Sequence, residues 1–382
     1  MSNGTGDTGT DFQVGKMSIS PSTRIKIHKT QFFGAVCIVF LHSNRYKYFP
    51  ETSDWMKLLI DWLGRWLPMT AMSIFFFLTG FLLFKDFGSG EDLPVSIIEW
   101  YREKIKKRFH GLMIPYLLWN TIWMIFIMII GVIPAVTSRL DSLLLFDGRF
   151  ISILQGIFVY KYNLVFWYIA AIILYSLLSP LFWQVLKNRY AGLLFLAAVA
   201  VLGVLSPKMV RPAAWFFNEM GDFGLFFFLL GAFFAIHAFT LINREYPVFA
   251  ICTGLAVSLL CALILCLAER NGFYYEPVSF ACKVCGACGF WVFSDVFRRN
   301  GDRWIFCDGF FLYAMHRYIE QASNKVFELF LPSGMPGAAL INVFGGVVLT
   351  LGIAVLCERI LSRLSPKIYS VLTGGRGNRR KA

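Results

Sequence analysis

Residues 247–268 read PVFAICTGLAVSLLCALILCLA and carry no charged side chain in 22 consecutive positions. A helix of this length spans about 33 Å, enough to cross the roughly 30 Å hydrocarbon core of a bilayer. A helix can do so because it satisfies its own backbone hydrogen bonds where no water is present. The fold of the whole chain therefore depends on how many such stretches it contains.

Comparable apolar runs follow one another along most of the 382 residues, of which 57% are hydrophobic and only 15% are charged. Lipid must act as the solvent for much of this apolar surface. We predict an all-α, polytopic integral membrane bundle of about ten transmembrane helices. The runs lie at about 30–46, 66–84, 110–133, 164–184, 191–206, 223–242, 247–268, 277–297, 305–322 and 339–361.

Positive charge orients this bundle. With the N-terminus inside, the inner segments hold 23 lysines and arginines and the outer segments hold 11. This bias predicts that the N- and C-termini both lie on the cytoplasmic side. The net charge of +13 is spread over short segments between the apolar runs, so it argues against a nucleic-acid partner.

Three parts of the chain differ in composition. Residues 1–26 are rich in Ser, Thr, Gly and Asp and lack the pattern of a signal peptide, which predicts a disordered cytoplasmic tail. Residues 27–364 form the predicted transmembrane domain. Residues 365–382 are predicted to be a basic cytoplasmic C-terminal tail.

An ionisable side chain stands inside the first apolar run. His42 can accept a proton near neutral pH, so a His facing the bundle interior suits a general base. The alternative is a His at a helix end that only bonds a neighbour. Gln31 precedes His42 by eleven residues, about three helical turns, so both are predicted to lie on one face.

A basic segment, residues 102–110, precedes the third run. Its cations, Lys104, Lys107 and Arg108 among them, could hold a phosphate-rich cofactor. They could equally anchor the helix by the positive-inside rule or bind lipid headgroups.

Three charged or titratable side chains fall in the ninth run. His316 and Glu320 are four residues apart and share a helical face, so the carboxylate could orient the imidazole. His316, Arg317 and Glu320 could instead pair only to lower the cost of their burial. Cysteines recur at 282, 285 and 288 in an apolar helix without an evident fourth ligand, and we predict no metal.

In this order, the motifs resemble those of the acyltransferase-3 family of membrane O-acyltransferases. The resemblance runs from about residue 27 to 361. It rests on the helix that ends in His42, Phe76-Phe-Leu-Thr-Gly-Phe-Leu-Leu83, Lys107-Arg108 followed by Ile114-Pro-Tyr-Leu-Leu-Trp119, Phe166-Trp167-Tyr168 with Leu178-Ser-Pro-Leu181, Phe228-Leu-Leu-Gly231, and Phe310-Phe-Leu-Tyr-Ala-Met-His316.

The resemblance implies transfer of an acyl group, with acetyl expected, from a cytoplasmic acyl-CoA such as acetyl-CoA. The implied acceptor is a hydroxyl of a cell-surface glycan or of its lipid-linked precursor. His42 would be the base, with Gln31 three turns before it on the same face of the catalytic helix, and Lys104, Lys107 and Arg108 would hold donor phosphates. Trp167, His316, Arg317 and Glu320 would support the substrates. The implied location is the cytoplasmic membrane of a bacterium, in contact with membrane lipid, with the oligomeric state open.

Three positions depart from the family pattern, because Gln31, Gly111 and Ala170 stand where arginine is usual. Glutamine can donate hydrogen bonds but supplies no charge. Two other functions therefore stay open. One is a transporter or flippase for a glycolipid or polysaccharide, although the chain shows no internal repeat. The other is a non-catalytic relative that binds an acyl donor or a partner protein.

Overall fold

The computed structural model describes residues 18–43, 46, 49–88, 96–133, 146–218, 223–273, 275–299, 308–332 and 334–376. Within these ranges every regular element is a helix, as the all-α prediction requires. Apart from short 3-10 turns, the helices are α1 (Pro21–His42), α2 (Asp54–Phe87), α3 (Ile97–Ile130), α4 (Phe150–Phe158), α5 (Trp167–Leu177), α6 (Ser179–Leu186), α7 (Arg189–Leu205), α8 (Arg211–Asn218), α9 (Gly224–His237), α10 (Val248–Arg270), α11 (Glu276–Phe293), α12 (Gly309–Phe330), α13 (Ala338–Leu364) and α14 (Pro366–Leu372).

Six helices in the described part of the chain are long and apolar enough to cross a membrane: α2, α3, α7, α10, α11 and α13. Helices α5 and α6 form a seventh candidate that is bent by 62°. The bend lies just before Pro180, where proline removes a backbone donor. The chain is thus a multi-pass membrane protein. The remaining three predicted runs coincide with α1, α9 and α12, which are shorter or more polar, so ten crossings and the orientation stay predictions.

Large apolar side chains cover the outer surface of the bundle. Leu194 on α7 is 74% exposed, Ile129 on α3 is 59% exposed and Val348 on α13 is 68% exposed. A water-soluble protein rarely exposes apolar residues in continuous patches, because each costs free energy in water. These surfaces therefore face lipid.

Helices α2 and α9 cross at a reciprocal pair of glycines. A Cβ built on Gly80 would overlap the carbonyl oxygen of Phe228, and one on Gly231 would overlap the carbonyl oxygen of Phe77. Only residues without a side chain let two helix backbones approach this closely. The crossing fixes α2 in the centre of the bundle, beside the aromatic groups of α5.

Helix α1 is tied to the end of α11 by a buried charged cluster. Its N-terminus is capped by Ser20, whose hydroxyl accepts a hydrogen bond from the backbone of Thr23 at 3.2 Å. One turn on, Lys26 pairs with Asp295 at 2.6 Å, and both side chains are almost fully buried. Asp295 also accepts a bond from Arg298 at 2.9 Å. The carboxylate therefore stands between two cations and holds α1 in register with α11.

Beyond α13, the chain turns back against the bundle through α14. The hydroxyl of Tyr369 donates to Glu358 at 2.8 Å, and the other oxygen of the same carboxylate accepts the backbone N–H of Asp308 at 2.7 Å. The indole of Trp119 on α3 donates to the carbonyl of Leu372 at 3.1 Å. These bonds join α14 to α3, α12 and α13.

The two predicted tails, residues 1–26 and 365–382, are described only in part, since residues 1–17 and 377–382 lie outside the described residues. Helix α1 begins within the first tail and α14 lies within the second. Both segments have buried side chains that contact the bundle.

Candidate functional site

Two histidines meet where α1 ends. The ring centroids of His42 and His316 are 5.3 Å apart. The backbone carbonyl of Gln31, in the middle of α1, lies against Gly309, the first residue of α12. The two helices therefore run in the same direction.

His316 is fully buried, and its hydrogen bond defines its tautomer. Its Nδ1 lies 2.7 Å from the carbonyl oxygen of Tyr313, which can only accept, so Nδ1 carries the hydrogen. In the neutral ring Nε2 then holds the lone pair. This Nε2 is buried and has no hydrogen-bond partner among the described residues. A buried acceptor of this kind is available to a donor on a substrate or on the neighbouring imidazole.

The buried face of α12 continues as a polar row. His316, Glu320 and Asn324 are spaced four residues apart and are at most 3% exposed. The Nδ2 of Asn324 donates to Oε1 of Glu320 at 2.6 Å. His316 and Glu320 lie on one face, as the spacing predicts. The nitrogen Nδ1 of His316, however, bonds the Tyr313 carbonyl. Arg317 is half-buried, and its charge acts on His316.

An aromatic line leads from these histidines to the basic segment. The ring of Tyr313 lies 5.8 Å from His316 and 6.2 Å from Tyr168 on α5. Arg108 on α3 is close enough to Tyr168 for its charge to act on the phenol. The hydroxyl of Tyr168 is also 3.3 Å from the hydroxyl of Thr79. Arg108 is therefore linked to His316 through two tyrosines.

The other predicted cations of the basic segment have different surroundings. The ammonium of Lys104 pairs with Asp86 at 2.5 Å, and Lys107 lies 3.7 Å from Glu103 with 73% of its side chain exposed. Of the three, Arg108 is the one in electrostatic contact with the aromatic line.

Trp167 is buried in the core with its ring 6.0 Å from that of Phe76, and it directly precedes Tyr168. Sequence reasoning quoted Tyr168 and Tyr313 within motifs but gave them no role. The sequence feature that could have identified them is a tyrosine inside an otherwise apolar helix, because its buried hydroxyl needs a hydrogen-bond partner.

The three spaced cysteines of α11 do not form a cluster. Cys282 is buried, whereas Cys285 and Cys288 are exposed. Within the described ranges, no group of three or more His, Cys, Asp or Glu side chains could hold a metal ion.

A family model described as an acyltransferase domain, that of the acyltransferase-3 family, matches residues 30–359. No curated protein and no solved structure matches the chain. The matched range starts one residue before Gln31 and covers α2 to α12 in full, including His42, Arg108 and His316. The chain, helical and membrane-spanning, belongs to the acyltransferase-3 family.

Proposed function

We propose that this protein is a membrane O-acyltransferase that moves an acyl group, acetyl in the simplest case, from a cytoplasmic acyl-CoA to a hydroxyl group. The acceptor is a cell-surface glycan or its lipid-linked precursor, and the membrane is the cytoplasmic membrane of a bacterium. The observation that carries the proposal is the contact of His42 with His316, at one end of an aromatic line that begins at Arg108.

The chemistry needs a base within reach of the acceptor hydroxyl. The neutral imidazole of His42 takes the hydroxyl proton as the oxygen attacks the thioester carbonyl. The C–O bond forms, the tetrahedral intermediate collapses and the C–S bond breaks. The thiolate of coenzyme A leaves and receives the proton from the imidazolium, so no other reactant is consumed.

His316 supports this step as a positioning residue. Because its Nδ1–H is held by the Tyr313 carbonyl, its Nε2 can accept a hydrogen bond from the N–H of His42. Such a bond would leave the other nitrogen of His42 as the acceptor that the acyl transfer requires. Full burial of His316 favours its neutral form, which is the form able to accept.

The donor binds at the other end of the line. Arg108 presents a planar guanidinium, which binds phosphate oxygens in a bidentate manner. Lys107 is largely exposed and would reach a second phosphate by leaving its exposed partner Glu103. Lys104 would contribute only by exchanging Asp86 for the ligand.

Replacing His42 by Ala tests the proposal. We expect the variant to lose about 10²- to 10⁴-fold in acyl transfer, the usual contribution of a general base. The measurement is the ester content of envelope glycans in the native host, by mass spectrometry, after deletion of the gene and complementation with the parent or the variant.

The matched control is His237→Ala, which removes a half-buried histidine of α9 whose Nε2 lies 2.7 Å from the carbonyl of Leu186. The control should restore the ester to the level of the parent. An equal ester level with His42→Ala would refute the base. A deletion that changes glycan export but no ester would favour a transporter, and a deletion that changes neither would favour a non-catalytic relative.

A further inference from the structure

A second arginine, from the far end of the chain, lies near enough to Arg108 for the two charges to interact. The charges of Arg108 and Arg376 act on one another, and both act on Tyr168. Both side chains are half-buried. Two guanidinium groups at such a position repel each other, and low local polarity strengthens the repulsion. An anion bound between them would attract both guanidinium groups.

Close packing of two backbone segments places Arg376 at this position. The turn that follows α14 passes over α3 at a pair of glycines, where a Cβ built on Gly374 would lie 2.7 Å from the carbonyl carbon of Gly111. Gly374 and Gly375 both have positive φ, +60° and +78°, which favours residues without a Cβ. A side chain at position 374 would hinder this approach, whereas a Cβ at Gly111 would lie at an ordinary 3.7 Å from the carbonyl oxygen of Gly374. The glycines therefore set the direction in which the chain reaches Arg376.

The guanidinium itself is held on two sides. Its Nη1 donates to the carbonyl of Thr373 at 2.9 Å, and its central carbon lies 4.6 Å above the ring of Phe310. Phe310 is in the first turn of α12, the helix that carries His316. A guanidinium that stacks on a ring loses less freedom when it binds an anion, because it is already oriented.

The chain offers no described carboxylate to Arg108. Among the described residues, none lies within ion-pair distance of its guanidinium. The nearby carboxylates of Asp86 and Glu103 pair with Lys104 and Lys107 instead.

We propose that Arg108 and Arg376 together bind one phosphate group of the acyl donor, so that the C-terminal turn completes the donor site. This deepens the proposed function, on which the identity of the ligand as an acyl-CoA rests. The phosphate would sit at the start of the aromatic line, with the acyl end of the donor extending past Tyr168 and Tyr313 toward His42. A lipid headgroup phosphate shares this chemistry, and the experiment separates the two sources.

The test uses the full chain, purified in detergent, and measures equilibrium binding of coenzyme A itself. We expect Arg376→Gln and Arg108→Gln each to weaken binding about ten- to a hundred-fold, the usual loss for a hydrogen-bonded charge. The double variant should lose less than the product of the two single losses, because both groups hold the same phosphate. Fully multiplicative losses would overturn the shared site.

Two controls separate the site from general damage. Arg363→Gln removes an exposed guanidinium from the last turn of α13 and should leave binding within about twofold of the parent. Pantetheine, which lacks the phosphates, should bind the parent and Arg376→Gln equally. Equal weakening of pantetheine and of coenzyme A would overturn the proposal, since the loss would then come from the fold.

The lipid source is tested in nanodiscs that contain phosphatidylglycerol. If Arg376→Gln keeps its affinity for coenzyme A but loses bound phosphatidylglycerol in native mass spectrometry, a lipid is the ligand and the proposal fails. No acceptor and no turnover enter these measurements. Failure of the donor site is therefore distinct from failure of His42 as the base.

Discussion

Replacing Gly231 by Ala should destabilise the bundle, whereas replacing Gly352 by Ala should not. A Cβ at Gly231 would overlap the Phe77 carbonyl oxygen and lie 2.7 Å from its carbon and 2.9 Å from the nitrogen of Phe81. These are backbone atoms and cannot rotate away. To restore a contact of about 3.4 Å, α2 and α9 must separate by at least about 0.7 Å, which close packing resists.

The expected cost is about 1–3 kcal/mol, as for overpacking elsewhere in protein interiors. Gly352 is the matched control because a Cβ there meets nothing within 4 Å. Both substitutions raise helix propensity by the same amount, so the difference between the two variants reports the steric cost alone. The measurement is the free energy of unfolding in mixed detergent micelles titrated with dodecyl sulfate.

The reciprocal glycine sharpens this test. Gly80→Ala should cost a similar amount, because its Cβ would lie 2.8 Å from the carbonyl carbon of Phe228. Once the first substitution has separated the helices, the second meets less resistance, so the double variant should cost less than the sum. If Gly231→Ala and Gly352→Ala unfold with the same free energy, the reasoning from backbone contact is wrong.

Two further changes test the charged groups. Asp295→Ala should destabilise more than Lys26→Met, since the first leaves two buried cations without their carboxylate and a broken buried pair costs about 3–5 kcal/mol; equal unfolding free energies would contradict this. On the loop before α4, bonds from Ser152 and from the backbone of Arg149 lower the pKa of Asp147 from 3.8 to about 2. A carboxyl group whose pKa is lowered by folding stabilises the folded state at pH values above its ordinary pKa. This stabilisation is lost as the pH falls through the pKa of the folded state. Pepsin should therefore cut the segment around Asp147 faster as pH falls from 3.8 to about 2, and Asp147→Asn should remove that dependence; identical pH profiles for the two proteins would show that the carboxylate holds nothing there.

The helical architecture could be predicted because its signal is local. The composition of a run such as 247–268 is enough to predict a helix, and α10 in the structure spans Val248–Arg270. Short or polar helices give a weaker signal. Helix α12 carries polar and charged side chains on a face that is buried against other helices. Hydropathy alone cannot distinguish such a buried polar face from one that is exposed to water.

The candidate site was predictable only in part, for a physical reason. His42 stands out as an ionisable group in an apolar run, and His316 stands out likewise. Their contact could not be derived, because it depends on how α1 packs against a helix almost 270 residues later. The position of Arg376 could not be predicted from the sequence either. From composition, the last residues are predicted only to be a basic tail. The packing of Gly374 on Gly111 in the structure is what places Arg376 near Arg108.

The crossing of Gly80 and Gly231 also bears on how members of this family are classified. The glycines of Phe76–Leu83 and Phe228–Gly231 serve the approach of two backbones and touch no reacting group in the proposed chemistry. Selection for a folded bundle alone would preserve them in a relative that had lost its enzymatic role. A match to these glycines therefore indicates ancestry and shape, whereas the activity proposed here also requires its proposed base, the histidine of α1.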